Sequence, residues 1–185
     1  MEKSKERTNQ QKEGKTGGLL TEKGVKIINT QAAEELKNRG YGISENGELL
    51  LDFYEALYLL DKGLLEVKDA KETPVTFNEL LQVSEKADEG SWAKYLVYRD
   101  LRSRGYVVRG GFGLRADFRV YERGEYNKDA AKYLILSLQE GKPLKLEILA
   151  QILKQSQNLK KELVLAVMSR RGEIVYYSVS QLTLK

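Results

Sequence analysis

The chain has 185 residues, 41% of them hydrophobic, with 11 tyrosines and 4 phenylalanines, enough apolar surface to offset the ordering entropy of a globular core. It contains no cysteine and no histidine, which excludes disulfides, thiolate nucleophiles, imidazole acid–base catalysis and the usual zinc-ligand sets. A formal net charge of +4 is compatible with a polyanionic partner without demanding one.

No apolar run of about 18 residues is present, and the N-terminus lacks the apolar core of a secretory signal, so the expectation is a cytoplasmic protein with no membrane span. Charged residues of both signs make up 31% of the chain, a composition that favours the surface ion-pair networks of heat-adapted proteins.

Residues 1–18 are Lys, Glu, Gln, Thr and Gly with almost nothing apolar, and are read as a disordered polar tail. The first ordered region begins at Leu19, with a short strand over 25–28 and a helix over 32–39 stopped by Gly40. In Glu48-Leu-Leu-Leu-Asp-Phe-Tyr-Glu55 a strand runs into a helix, Asp52 being the N-cap and Glu55 completing a capping box; Ala56, Leu57 and Leu60 point inward and Gly63 ends the helix. A strand over 64–67 follows. Thr76 and Glu79 then cap a helix carrying Leu80, Leu81 and Val83. Residues 19–87 thus read as a small α+β domain, its boundary set in the polar stretch 85–90 that ends in Gly90.

Residues 88–185 form the second expected domain. Ala93, Leu96, Val97 and Leu101 define a helix that packs one face on a sheet, with Arg102 and Arg104 in its last turn and Gly105 as its stop. Strands are expected over 106–109 and 116–121, separated by the loop Gly110-Gly-Phe-Gly113, and over 133–138, where an apolar run predicts cover on both sides. After Pro143 a stripe of Ile148, Leu149, Ile152 and Leu153 marks a helix; strands over 163–168 and 174–179 close the chain. The order predicts an α+β protein, with a small N-terminal α+β domain followed by a C-terminal mixed sheet flanked by helices.

Three segments of this second half carry a resemblance. They are Tyr98-Arg-Asp-Leu-Arg-Ser-Arg-Gly-Tyr-Val-Val108, then Ala116-Asp-Phe-Arg-Val-Tyr121 with Lys132-Tyr-Leu-Ile135, then Leu159-Lys-Lys-Glu-Leu-Val-Leu-Ala-Val167 with Gly172-Glu-Ile-Val-Tyr-Tyr177. Together they resemble the catalytic-fold domain of the archaeal tRNA-splicing endonuclease family from Trp92 to Leu182, and residues 40–67 look like its N-terminal domain. The resemblance implies a nuclease-like α/β C-terminal domain. It also implies metal- and cofactor-independent cleavage of pre-tRNA at bulge-helix-bulge sites, leaving a 2′,3′-cyclic phosphate and a 5′-hydroxyl.

The family uses a tyrosine as general base, a histidine as general acid and a lysine that offsets charge growing on phosphorus. Carried onto this chain, the tyrosine position falls at Leu114, the histidine position at Ala130 and the lysine at Lys161. Leucine accepts no proton and alanine donates none, so two of three roles are empty. Tyr121 and Tyr126 lie near in sequence, but one sits in a strand pattern and the other in a loop, where a packed or exposed aromatic is the commoner reading. Ala130 as an engineered histidine replacement is a further alternative, opposed by the departure at Leu114.

The resemblance therefore points to the non-catalytic, structural subunit of a heterotetramer, two copies with two of a catalytic chain. The partner surface is expected on Ile174, Val175, Tyr177 and Val179 of the final strand, with Glu140 as the acid of a docking loop. Pre-tRNA phosphates are expected to meet Arg102, Arg104, Arg109, Arg115 and Arg119. An active nuclease using other residues and a stand-alone RNA-binding or assembly module are the alternatives.

Overall fold

The computed structural model describes residues 15–111 and 113–182. Its first sheet has the order β3-β4-β2-β1-β5-β6, formed by β1 (Thr16–Thr21), β2 (Gly24–Ile27), β3 (Ile43–Glu45), β4 (Glu48–Leu51), β5 (Leu65–Lys68) and β6 (Pro74–Val75). β1 pairs parallel with β5 and the other neighbours are antiparallel. Alternation sends Val25, Ile27, Leu49, Leu51, Leu65 and Val67 to one buried face. Helices α1 (Thr30–Asn38) and α2 (Phe53–Asp61) pack on this sheet, and α3 (Phe77–Ala87) packs against α2.

The expected polar tail is corrected here: residues 16–18 belong to β1, while residues 1–14 lie outside the described part. Gly17 and Gly18 bring no apolar side chain, so hydrophobic patterning has nothing to read. What holds them is the backbone ladder between β2 and β5, and at Gly18 a Cβ would come 2.5 Å from Val25 Cγ1.

The second sheet has the order β11-β10-β9-β8-β7, from β7 (Val107–Gly110), β8 (Phe118–Tyr121), β9 (Tyr133–Gln139), β10 (Glu162–Met168) and β11 (Ile174–Val179). Only β9 and β10 are parallel. Their crossover helix, α5 (Leu146–Asn158), lies over Leu134 and Leu163 through Ile152, while Ile148, expected in its buried stripe, is 39% exposed. Helix α4 (Ser91–Ser103) covers the opposite face. The architecture is thus α+β, a small N-terminal α+β unit followed by a mixed-sheet α/β unit.

α4 packs on more than the sheet. Besides the four expected apolar positions, Tyr95 and Tyr98 are fully buried, and Tyr98 meets Tyr54 of α2 at 5.0 Å between ring centroids and Phe118 of β8 at 6.0 Å. A helix apolar on this many sides belongs between layers. One continuous apolar core runs from the first sheet through α2 and α4 to the second. No helix among the described residues is long and apolar enough to cross a membrane.

Candidate active-site cleft

The cleft forms where three strand ends meet. β8 stops at Tyr121, β9 begins at Tyr133 and β10 at Glu162, and the registers Val120 to Tyr133 and Tyr133 to Glu162 set those ends side by side. Backbone bonds from Lys132 N to Val120 O (3.0 Å) and from Glu162 N to Lys132 O (3.0 Å) extend the ladder by one residue. Tyr121 and Lys161 therefore flank Lys132 in one row across three strands.

The connection from β8 to β9 curls back on itself through bonds from Lys128 N and Asp129 N to Glu125 O, both 3.0 Å, with Asn127 at φ 67°. It encloses an open cleft of about 460 Å³ bounded by Tyr121, Tyr126, Asn127, Lys128, Asp129 and Ala130. The Tyr126 ring stands edge-on to Tyr121 at 5.1 Å between centroids. Lys161 Nζ donates to the carbonyl of Ala131, next to Ala130. Glu122 accepts from Lys132 Nζ (2.7 Å) and from the Tyr133 hydroxyl (3.1 Å), and these bonds hold its carboxyl below the usual range.

This brings Ala130 and Lys161 together but leaves Leu114 elsewhere: Leu114 packs with Leu134, Ile152 and Leu163 in the apolar cluster under α5. Two tyrosines line the cleft, Tyr121 and Tyr126, and of these Tyr121 stands in the row with Lys132 and Lys161. Alternation places Tyr121 on the same face as Arg119, and the pairing of Arg119 with Leu134, which the sequence alone does not give, identifies that face as the one α5 covers. The cleft lining therefore offers two phenols, the ammonium of Lys128 and the carboxylate of Asp129, with Lys161 beside it at the Ala131 carbonyl. It has no imidazole, and among the described residues no cluster of carboxylates suits a metal ion.

Of the five arginines, two face the N-terminal unit. Arg102 Nη2 donates to Arg39 O at 3.1 Å and its guanidinium lies 3.9 Å from the centre of the Tyr41 ring. Arg109 Nη2 donates to Gly42 O at 2.5 Å and Nη1 stands 3.7 Å from Glu55. Arg104 forms a two-bond pair with Asp100, which also accepts from the Tyr176 hydroxyl. Arg119 Nε donates to Gly110 O at 3.0 Å, and exposed Arg115 reaches Gln151 on α5. They do not form one row.

The final strand is one of the two outer strands of its sheet. Val175 and Tyr177 are 47% and 53% exposed and share a face with Val179, whereas Ile174 packs with the core on the α4 side. Glu140 accepts from Arg170 N at 3.1 Å and so braces the turn between β10 and β11, at the opposite end of the β9–β10 pair from the cleft.

Comparison with known proteins matches both units. The family described as tRNA intron endonuclease, catalytic C-terminal domain, matches residues 91–176, and that described as tRNA intron endonuclease, N-terminal domain, matches residues 17–81. The chain is similar to the tRNA-splicing endonuclease of Methanococcus vannielii, at 33% identity over 89% of this chain and 93% of that protein. It is 36% identical to that of Pyrococcus furiosus over 77% of this chain and 81% of the relative. A third similarity, to the tRNA-splicing endonuclease of Methanococcoides burtonii, is 34% over 86% of this chain but 45% of the longer relative. With both domain models matched in order and full-length relatives above 30% identity, the chain belongs to the tRNA intron endonuclease family.

Proposed function

We propose that the chain is the architectural subunit of a tRNA-splicing endonuclease, acting on intron-containing pre-tRNA together with a catalytic partner chain. The observation that carries this is Ala130 on the rim of the cleft in a chain with no histidine. Cleavage by attack of a 2′-hydroxyl requires one group to take that proton and another to give one to the departing 5′-oxygen. A neutral-pH acid of the right strength is the residue type this cleft lacks. Tyr121 and Lys161 remain as a phenol and a cation, sufficient to contact a phosphodiester but not to complete the proton transfers.

The exposed apolar side chains of Val175 and Tyr177, on a strand whose outer edge is open among the described residues, support β11 as the surface that pairs with the partner, with Val179, packed beside the α5 cluster, at its margin. Two copies of each chain in the complex, action in the cytoplasm, and phosphate contacts by exposed Arg115 and Arg104 belong to the same proposal.

A second reading is favoured by Tyr121 and Lys161 flanking one row: the chain alone cuts slowly, solvent supplying the proton. Mixing the purified chain with a catalytic chain and assaying a bulge-helix-bulge pre-tRNA, beside each chain alone, separates the two. Cleavage that needs the mixture, or is strongly raised by it, supports the architectural role; equal cleavage by this chain alone refutes it.

A further inference from the structure

Four consecutive residues of the N-terminal unit clasp the C-terminal unit at separate groups. Arg39 O accepts from Arg102, the Tyr41 ring lies against the same guanidinium, and Gly42 O accepts from Arg109. The fourth is Gly40, and its neighbours belong to the second sheet and to the cleft. Its φ is +76°, and a Cβ there would come 2.5 Å from Val107 Cγ1 and 3.2 Å from Tyr126 Cε1. The bare Cα at the end of α1 is what lets the Tyr126 ring approach.

Tyr126 then meets Tyr121 edge-on across the cleft mouth. The backbone bonds holding this loop are short-range turns, so the ring of Tyr126 gains its orientation from what it rests on: Gly40 on one side and Tyr121 on the other. We propose that Gly40 and Tyr126 are positioning residues, through which the N-terminal unit fixes the ring of Tyr121 in the cleft of the C-terminal unit. Neither touches a reacting atom; they act through Tyr121, and the inference rests on the reading of that tyrosine as the phenol the cleft offers to RNA. The arrangement makes the N-terminal unit part of the cleft, because the ring offered to RNA is set by contacts that start at Gly40 and pass through Tyr126.

The test places 3-fluorotyrosine at position 121 alone in the full chain and follows its fluorine resonance, with binding of a bulge-helix-bulge RNA measured on the same samples. Gly40→Ala and Tyr126→Leu are expected to move and broaden the resonance and to weaken RNA binding several-fold. Tyr126→Phe, which keeps the ring, is expected to retain both. Gly17→Ala, where a Cβ meets nothing within 4 Å, is the control in the same unit. A resonance unmoved in folded Gly40→Ala overturns the proposal, as does a Tyr126→Phe variant that behaves like Tyr126→Leu. If Gly40→Ala does not fold, the comparison of Tyr126→Leu with Tyr126→Phe decides. Failure of the unsubstituted chain to bind the RNA refutes the RNA reading alone, and the fluorine comparison then still decides whether Gly40 and Tyr126 set the ring.

Discussion

Arg109 of β7 stands 3.7 Å from the carboxylate of Glu55 on α2, and the pair joins the two units where Glu55 is fully buried. The carboxylate also accepts from Gly42 N at 3.1 and 3.0 Å and, as the capping-box acid of α2, from Asp52 N at 3.0 Å. Burial wins nonetheless. Desolvation, reinforced by the neighbouring Asp52 charge, pushes Glu55 up to about 7 against the pull of Arg109 and the backbone donors.

Stability should therefore fall as pH rises through the acid-to-neutral range. Between about 4.5 and about 7 the folded chain keeps a proton on Glu55 that the unfolded chain has released, so the folded state binds more protons and loses ground with rising pH. The span is on the order of 3 kcal/mol for this group, and Asp52, also raised by burial, acts in the same direction. Denaturant unfolding at pH 5, 6, 7 and 8 measures the slope. In Glu55→Gln it should flatten; an equally steep slope in that variant would show that other groups set it.

Replacing Arg109 by methionine removes the cation while keeping much of the apolar stem. At pH 8, where Glu55 is mostly ionised, the loss is expected to be about 3 kcal/mol, since an uncompensated buried charge is left behind. At pH 5 it should be clearly smaller. A variant with unchanged stability at both values and weakened RNA binding would instead mark Arg109 as a phosphate ligand.

Both capping boxes were legible because they are local: Asp52 with Glu55, and Thr76 with Glu79, lie three residues apart in front of apolar runs. The alternating strands of the second sheet were legible for the same reason. β1 was not, since Gly17 and Gly18 leave no pattern and their stability comes from partners far away in sequence. The arginines misled in a different manner. Arg102 and Arg109 carry nothing in their own neighbourhoods to say that Tyr41 and Gly42, more than sixty residues earlier, would occupy them. Leu114 and Tyr121 both lie near the loop carrying Ala130, and only the ladder register distinguishes them.

The exposed face of β11 offers a way to separate folding from association. Val175→Asp with Tyr177→Asp adds two charges at side chains that are already about half exposed, so the isolated chain should lose less than about 1 kcal/mol. Association with the catalytic chain, read by analytical ultracentrifugation, should be lost or weakened at least a hundredfold, charges being poorly tolerated in the apolar centre of an interface. Unchanged association would move the partner surface off this strand.

Ala130→His is the most direct test of the cleft. It adds an imidazole to a rim that already carries Tyr121 and lies beside the carbonyl to which Lys161 is bound. A correctly positioned general acid contributes on the order of 100- to 10,000-fold, so the variant alone should cleave bulge-helix-bulge RNA at least about 100-fold faster than the unsubstituted chain. Because the acid form of a histidine near its ordinary pKa of about 6.5 is depleted as pH rises, the gained activity should decline above about pH 7. Adding Tyr121→Phe or Lys161→Ala should abolish the gain, since each removes one of the two remaining roles. If the histidine brings no activity while the fold is intact, the missing acid is not what separates this cleft from a working one, and Tyr121 and Lys161 are then kept for packing and for the bond to Ala131.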